Sequence, residues 1–251
     1  KNGKKIEVVS RDEMTGALGE LGWEVAAAKP ASEDSTSLIL EVKAKHADAT
    51  PFKVAKIQSQ EKKKNPPPPF ITSKLQQDAA RQLGFPVAKT MRLAQGLYEG
   101  RELGDAGTVG LITYMRTDST RTSDEALDAV RAYITNTYGG ASLPKEARRF
   151  KVGKAAQEAH EAIRPTLLEF PPDSVKDFLG RDEFRLYQLI WNRFVASQME
   201  TAIFDTTRAD IEADDYSFRA TGSILKFAGW LAVYHEGKDE DAPTDDARPA
   251  D

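Results

Sequence analysis

An α+β fold, in which a β-rich domain is interrupted by a mainly helical one, is predicted by three observations. Short β-prone runs lie near both ends of the 251-residue chain, helical patterns with start and stop signals fill its middle, and four consecutive prolines divide the first texture from the second. The prolines sit in "EKKKNPPPPF" (61–70). Lacking amide donors, they let neither a helix nor a central strand continue, and they favour a stiff, extended connector.

The elements follow in order. Residues 10–22 read as a short helix: Ser10 and Glu13 form a capping box, Met14, Ala17, Leu18 and Leu21 share a face, and Gly22 stops it. "SLILEVKA" (37–44) and "PFKVAKIQS" (51–59) read as strands. Beyond the prolines, Ser73 and Gln76 make a capping box for a helix that carries Leu75, Ala79 and Leu83 inward and ends at Gly84. Pro86 starts a second helix with Val87, Met91, Ala94 and Tyr98 on its apolar face. An apolar strand from Val109 to Met115 is expected next, then a turn and a helix capped by Thr122 and Glu125, with Leu127, Val130 and Ile134 inward. "AAQEAHEAIRPT" (155–166) reads as a helix terminated by Pro165. Residues 182–199 form a long helix, apolar nearly all round and therefore central to a core. "FDTTRADI" and "YSFRATGSI", separated by "EADD", predict a closing hairpin. The resulting domains are 1–69 with 200–236, then 70–199, then an acidic linker at 237–251.

Composition narrows the function. Hydrophobic residues make up 40% of the chain, aromatics 8% and charged residues 29%. No apolar run approaches the ~20 residues that a membrane helix needs, so no membrane partner is expected. Cysteine is absent, which excludes disulfides, zinc ribbons and thiol nucleophiles together. The chain opens on Lys1 without a Met or a secretory signal, and it reads as a piece of a longer polypeptide. The net charge of -4 hides a segregation: Val42 to Leu93 carries eleven Lys or Arg against three Asp or Glu, whereas His235 to Asp251 carries seven acidic residues against two basic. A basic block on an acidic protein points to a polyanion, and the acidic end to a solvated linker. Helix, turn, helix, strand, helix is also a layout that DNA-binding modules use.

The chemistry concentrates in "GLITYMRTDST" (110–120), where Tyr114 stands at the seam between an apolar run and a polar turn. A phenol's ordinary pKa of ~10 leaves about a thousandth of it ionised at neutral pH, so a tyrosine nucleophile needs about 4 kcal/mol of help or a proton acceptor during attack. Arg116, always charged and able to grip a phosphate with two donors, suits that task, and strand periodicity would aim residues 114 and 116 to one side.

"ITYMRTDST" strongly resembles the active-tyrosine motif of type IA DNA topoisomerases. "PPFITSKLQQDAARQLGF" (68–85), "AQEAHEAIRPT" (156–166) and "RLYQLIWNRFVASQM" (185–199) resemble the same family in the same order, so the likeness spans about half the chain. Met115, where the topoisomerase III branch carries proline, favours the bacterial topoisomerase I branch, with reverse gyrase the alternative. The resemblance implies that Tyr114 attacks a phosphodiester of single-stranded or negatively supercoiled DNA, leaving a 5'-phosphotyrosine and a free 3'-hydroxyl that later reseals. It gives Arg116 the phosphate, His160 a hydrogen-bond or proton-relay part, and Thr113, Asp118 and Arg164 positioning or DNA-binding parts. No ATP is implied, and no phosphate-binding Walker loop is present. Mg²⁺ would be bound by a Toprim domain for which this chain has no counterpart, because its single D-x-D, Asp239 and Asp241, lies in the acidic end. The resemblance further implies a hinged, toroidal enzyme with a winged-helix-like tyrosine domain, acting in the bacterial cytoplasm at the nucleoid, of which this chain alone is inactive. A DNA-binding module without catalysis is the rival reading, and it leaves Tyr114, Arg116 and His160 without a shared purpose.

Overall fold

The computed structural model describes residues 11–30, 38–46, 49–150, 160–235 and 247–249. Its elements are α1 (Arg11–Glu20), β1 (Trp23–Pro30), β2 (Leu38–Ala44), β3 (Lys53–Lys64), α2 (Thr72–Leu83), α3 (Val87–Glu99), the two-residue strands β4 (Arg101–Glu102) and β5 (Thr108–Val109), α4 (Asp124–Tyr138), the single turn α5 (Pro172–Val175), α6 (Arg181–Ser197), β6 (Ala202–Ala213), β7 (Tyr216–Phe227) and β8 (Ala247–Pro249). The fold is α+β. The chain forms two compact units, one of residues 1–60 with 205–223 and one of residues 61–204 with 224–251.

In the first unit, α1 buries Leu18 and Leu21, as its periodicity predicts, and Gly22 stops it with φ 80°. Ser10, the expected cap, lies outside the described residues. β1 and β2 pair antiparallel, Trp23 opposite Ala44, and the ladder shifts between Val25 and Ala27. Trp23 packs on Phe52, and Phe52 meets Phe218 edge-on. The predicted hairpin forms from β6 and β7, with Asp214 in the left-handed region at φ 50° in the turn. In the sheet order β3-β6-β7-β8, β3 is an edge. That explains a correction: the strand predicted for 51–59 runs on through "EKKK" to Lys64, exposed at every position. Lysines on an edge discourage further pairing, and Asn65 and the prolines end the strand.

The second unit is built round α6, whose Leu186, Tyr187, Ile190, Trp191, Phe194 and Val195 are all buried. Each such side chain contributes roughly 1.5–3 kcal/mol by leaving water. Against them pack Leu75 and Ala79 of α2, Ala94 and Leu97 of α3, Val130 and Ile134 of α4, and Trp230 and Tyr234 beyond β7. Burial raises the Tyr234 phenol above its ordinary pKa, and a hydrogen bond to Asp78 adds to the effect. Tyr187, also raised by burial, donates to the Phe170 carbonyl at 2.7 Å.

The proline connector is packed into this unit. Its prolines have no donors, and Arg193 Nε donates to Pro68 O at 2.6 Å; just before them, at the end of β3, Trp230 Nε1 donates to Lys64 O at 2.9 Å. Arg193, only 5% exposed, also faces Asp78 at 3.4 Å and the Tyr234 hydroxyl at 3.1 Å. One buried cation thus ties the connector to α2 and α6.

Several local expectations are corrected. α2 starts at Thr72 with Ile71 as its cap residue, so Ser73 lies inside the helix and the Ser73–Gln76 capping box does not form. Gly84, at φ 69°, does end it. α3 buries Thr90, Ala94, Gly96 and Leu97, which leaves Val87 and Tyr98 exposed rather than inward. α4 is capped by Ser123, whose hydroxyl accepts from the Ala126 amide, in place of Thr122, although Leu127, Val130 and Ile134 are inward as expected. The strand expected over Val109 to Met115 shrinks to β5 and one bridge, Ile112 to Pro165. The described part of the expected 155–166 helix, His160 to Thr166, is extended, because Ile163 and Pro165 bridge to Phe70 and Ile112.

Candidate active site

The Tyr114 segment is held from three directions. At its entry, Gly110 passes so close to the last turn of α3 that a Cβ there would lie 2.8 Å from the Tyr98 carbonyl oxygen. The next amide, Leu111 N, donates to Leu97 O at 2.8 Å and satisfies a carbonyl that the end of α3 leaves free. From the second side comes the 162–166 stretch. Thr113 N donates to Arg164 O at 2.9 Å, Thr113 Oγ1 donates to Ala162 O at 2.7 Å, and Arg164 N donates to Thr113 Oγ1 at 3.0 Å. Thr166 closes the same zipper on Leu111 and Gly110. From the third side, the start of α2 clamps the exit: Thr72 Oγ1 donates to Met115 O at 2.8 Å and accepts from Thr117 N at 2.8 Å.

These clamps sort the side chains. Met115, Thr117 and Ser119 are buried anchors, and Tyr114, Arg116 and Asp118 between them are exposed. The alternation that strand periodicity predicted for 114 and 116 therefore holds, although hydrogen bonds to α2 and two hydroxyl-centred turns impose it here. Ser119 N donates to Thr117 Oγ1 and Arg121 N to Ser119 Oγ, at 3.0 and 3.2 Å.

Tyr114 is 40% exposed, far more than a core tyrosine on an apolar run would be. Its ring centroid lies 5.8 Å from that of His160, with the planes at 54°. Tyr98 also meets it, edge-on at 5.4 Å and 65°. The structure therefore brings Tyr114 and His160 together across 46 residues of sequence. Arg116 and Asp118 are exposed and have no ion-pair partner among the described residues, so the guanidinium is available to an anion. Arg164 is different. Only 8% exposed, it spends Nε and Nη2 on Glu161 Oε2 at 3.0 and 2.5 Å and Nη1 on Pro165 O at 2.8 Å.

Three residues of the site escaped the sequence reading. Thr72 hides beside Ser73, the more obvious cap, and Tyr98 falls on a helical face that reads as apolar. Glu161 gives no signal until its neighbour Arg164 is seen to be buried. Among the described residues no three His, Asp or Glu side chains converge as a metal site would require, and Asp239 and Asp241 lie outside those residues. No helix among the described residues is long and apolar enough to cross a membrane.

Comparison with known proteins agrees with the motifs. The family model described as DNA topoisomerase matches residues 15–249. The crystal structure of full-length topoisomerase I from Thermotoga maritima superposes with a TM-score of 0.64 at 38% sequence identity, over 78% of this chain and 32% of that one. The present chain thus spans about a third of that protein's length. With its motifs, its exposed tyrosine and these matches in agreement, the chain belongs to the type IA DNA topoisomerase family.

Proposed function

We propose that this chain supplies the nucleophile-bearing half of a type IA topoisomerase active site, the half that becomes covalently attached to DNA. The observation that carries this reading is Tyr114, 40% exposed on a segment clamped from three sides, with the His160 ring 5.8 Å away. In the reaction the Tyr114 oxygen forms a bond to a backbone phosphorus of single-stranded DNA while the bond from phosphorus to the 3'-oxygen breaks. The phenolic proton leaves as the nucleophile attacks, and the departing oxygen takes up a proton to become the free 3'-hydroxyl. His160 orients the phosphate or relays the proton, and the unpaired Arg116 holds the phosphate's charge. Thr113, through its hydroxyl, and Arg164, through its backbone and its pair with Glu161, position the segment, and exposed Asp118 faces the DNA side of the turn.

Because the phosphotyrosine conserves the energy of the broken bond, resealing after strand passage needs no ATP, and negative supercoils relax. Residues 1–69 and 200–236 act as the β-rich hinge of a toroid, 70–199 as the tyrosine domain and 237–251 as a linker. Mg²⁺ would be held by a Toprim domain outside this chain and would there supply positive charge for the departing 3'-oxygen. The chain alone is expected not to relax DNA.

The test supplies the Toprim-containing part of a related topoisomerase I in trans, with Mg²⁺ and a 3'-labelled single-stranded oligonucleotide. Label should stay on this chain through denaturation and be lost in Tyr114→Phe. DNA retention without an adduct, alongside normal cleavage by the intact related enzyme, would favour a binding module instead.

A further inference from the structure

The geometry points to Tyr98 as a positioning residue for the nucleophile, a wall that sets the direction in which the Tyr114 ring stands. This rests on the reading of Tyr114 as nucleophile. Among the described residues the Tyr114 hydroxyl has no hydrogen-bond partner, so nothing polar fixes the ring before DNA arrives. Two aromatic rings flank it among the described residues: His160 at 5.8 Å and Tyr98 at 5.4 Å. The Tyr98 contact is the closer, and its 65° edge-on geometry is the arrangement that aromatic quadrupoles favour.

Tyr98 is also the flank that is built in. Leu111 N bonds to Leu97 O at 2.8 Å, and Gly110 runs against the Tyr98 carbonyl, so the end of α3 and the tyrosine segment form one rigid joint. The side chain itself is 41% exposed and stands off the face that α3 buries, so the core does not require an aromatic there. A large, partly exposed ring edge-on to a nucleophile whose hydroxyl has no hydrogen-bond partner among the described residues narrows the orientations from which the phenol can attack. In the proposed reaction His160, the other neighbouring ring, is the one that acts on the phosphate or the proton. Tyr98 touches neither phosphate nor leaving group and acts through Tyr114.

The test uses the complete topoisomerase carrying this sequence, with Tyr98→Ala and Tyr98→Phe. Single-turnover adduct formation should slow on the order of tenfold in Tyr98→Ala, the size of effect that loss of an aromatic pair produces. Affinity for the same oligonucleotide, measured in a Tyr114→Phe background, should stay within about twofold. Tyr98→Phe should restore the rate, because the ring edge and not the hydroxyl makes the contact. An unchanged rate in Tyr98→Ala overturns the assignment. So does a loss of affinity that matches the loss of rate, which would make Tyr98 a base-stacking DNA contact, or a Phe variant as slow as Ala. If Tyr98→Ala lowers the thermal midpoint, Tyr98→Leu keeps bulk at that position without a ring and takes its place. A second readout is independent of cleavage: with 3-fluorotyrosine at position 114 of this chain, removal of the Tyr98 ring should move the fluorine resonance toward its free-solvent value. An unmoved resonance sinks the inference even if catalysis proceeds. Failure of the unsubstituted enzyme to form an adduct through Tyr114 would count against the proposed function, while the fluorine measurement still decides the contact.

Discussion

At the scale of the residue, two small residues, Thr72 and Gly110, hold the Tyr114 segment in place. Thr72 serves both Met115 O and Thr117 N with one hydroxyl. Thr72→Val keeps the shape and strands both groups, at an expected cost of about 1–3 kcal/mol, read from urea unfolding. Adduct formation should fall with it, because Tyr114 lies one residue before the clamp. Thr72→Ser should recover most of both. Gly110→Ala is the steric counterpart: its Cβ would sit 2.8 Å from a backbone oxygen that cannot turn away. Loss of at least ~1 kcal/mol of stability and a slower Tyr114 reaction are expected, and a variant as stable and fast as the parent would refute the close approach.

At the scale of the element, the unit around α6 depends on Arg193. Removing it leaves Asp78, itself 7% exposed, without its cation in the interior, and Arg193→Ala should cost about 3–5 kcal/mol in chemical denaturation. The β6–β7 hairpin carries a surface counterpart. Hydrogen bonds from Arg208 and Arg219, at 2.9 and 2.8 Å, hold the Asp210 carboxyl down to about 2, below its ordinary 3.8. The unfolded chain therefore binds the proton first, so the stabilisation is complete above the unfolded pKa and is lost as pH falls through the folded one. Thermal midpoints at pH 5 and pH 2 should differ more for the parent than for Asp210→Asn, and only slightly, because the carboxylate keeps contact with solvent. Element identity was legible where periodicity was long: α6, α4 and the β6–β7 hairpin stand where the pattern put them. Caps are less legible: at α4 two adjacent hydroxyls compete and Ser123, not Thr122, takes the Ala126 amide, whereas α2 starts after Ile71 with no side-chain cap at all. The 155–166 stretch failed for another reason. Its alanines and glutamates favour helix locally, and the bridges to Phe70 and Ile112 override them from 160 onward.

At the scale of the whole molecule, Tyr114 stands exposed where an apolar run meets a polar turn in the sequence, and the fold class could be read in advance. The flanking ring of Tyr98 could not, since no local pattern shows that a helix end and a segment sixteen residues later share a face. Charge segregation is a property of the whole chain as well: the basic excess of 42–93 sits on a protein of net charge -4, and Lys62 and Lys63 are exposed on β3. If they meet DNA phosphates, Lys62→Gln with Lys63→Gln should lower oligonucleotide affinity uniformly across sequences and flatten the dependence of log affinity on log salt by up to about 2. An unchanged slope would place the polyanion contact elsewhere in the basic block.

The close approach of Gly110 to the Tyr98 carbonyl also bears on how this chain can change under selection. Every alternative to glycine brings the same first carbon, and that carbon is what the carbonyl excludes. In a saturation library position 110 should therefore come back closed to all replacements, small and large alike, whereas exposed neighbours such as Asp118 are limited only by chemistry. A lineage pressed to change around Tyr114 would then have to do so at side chains, because the backbone leading into that residue offers no room for drift.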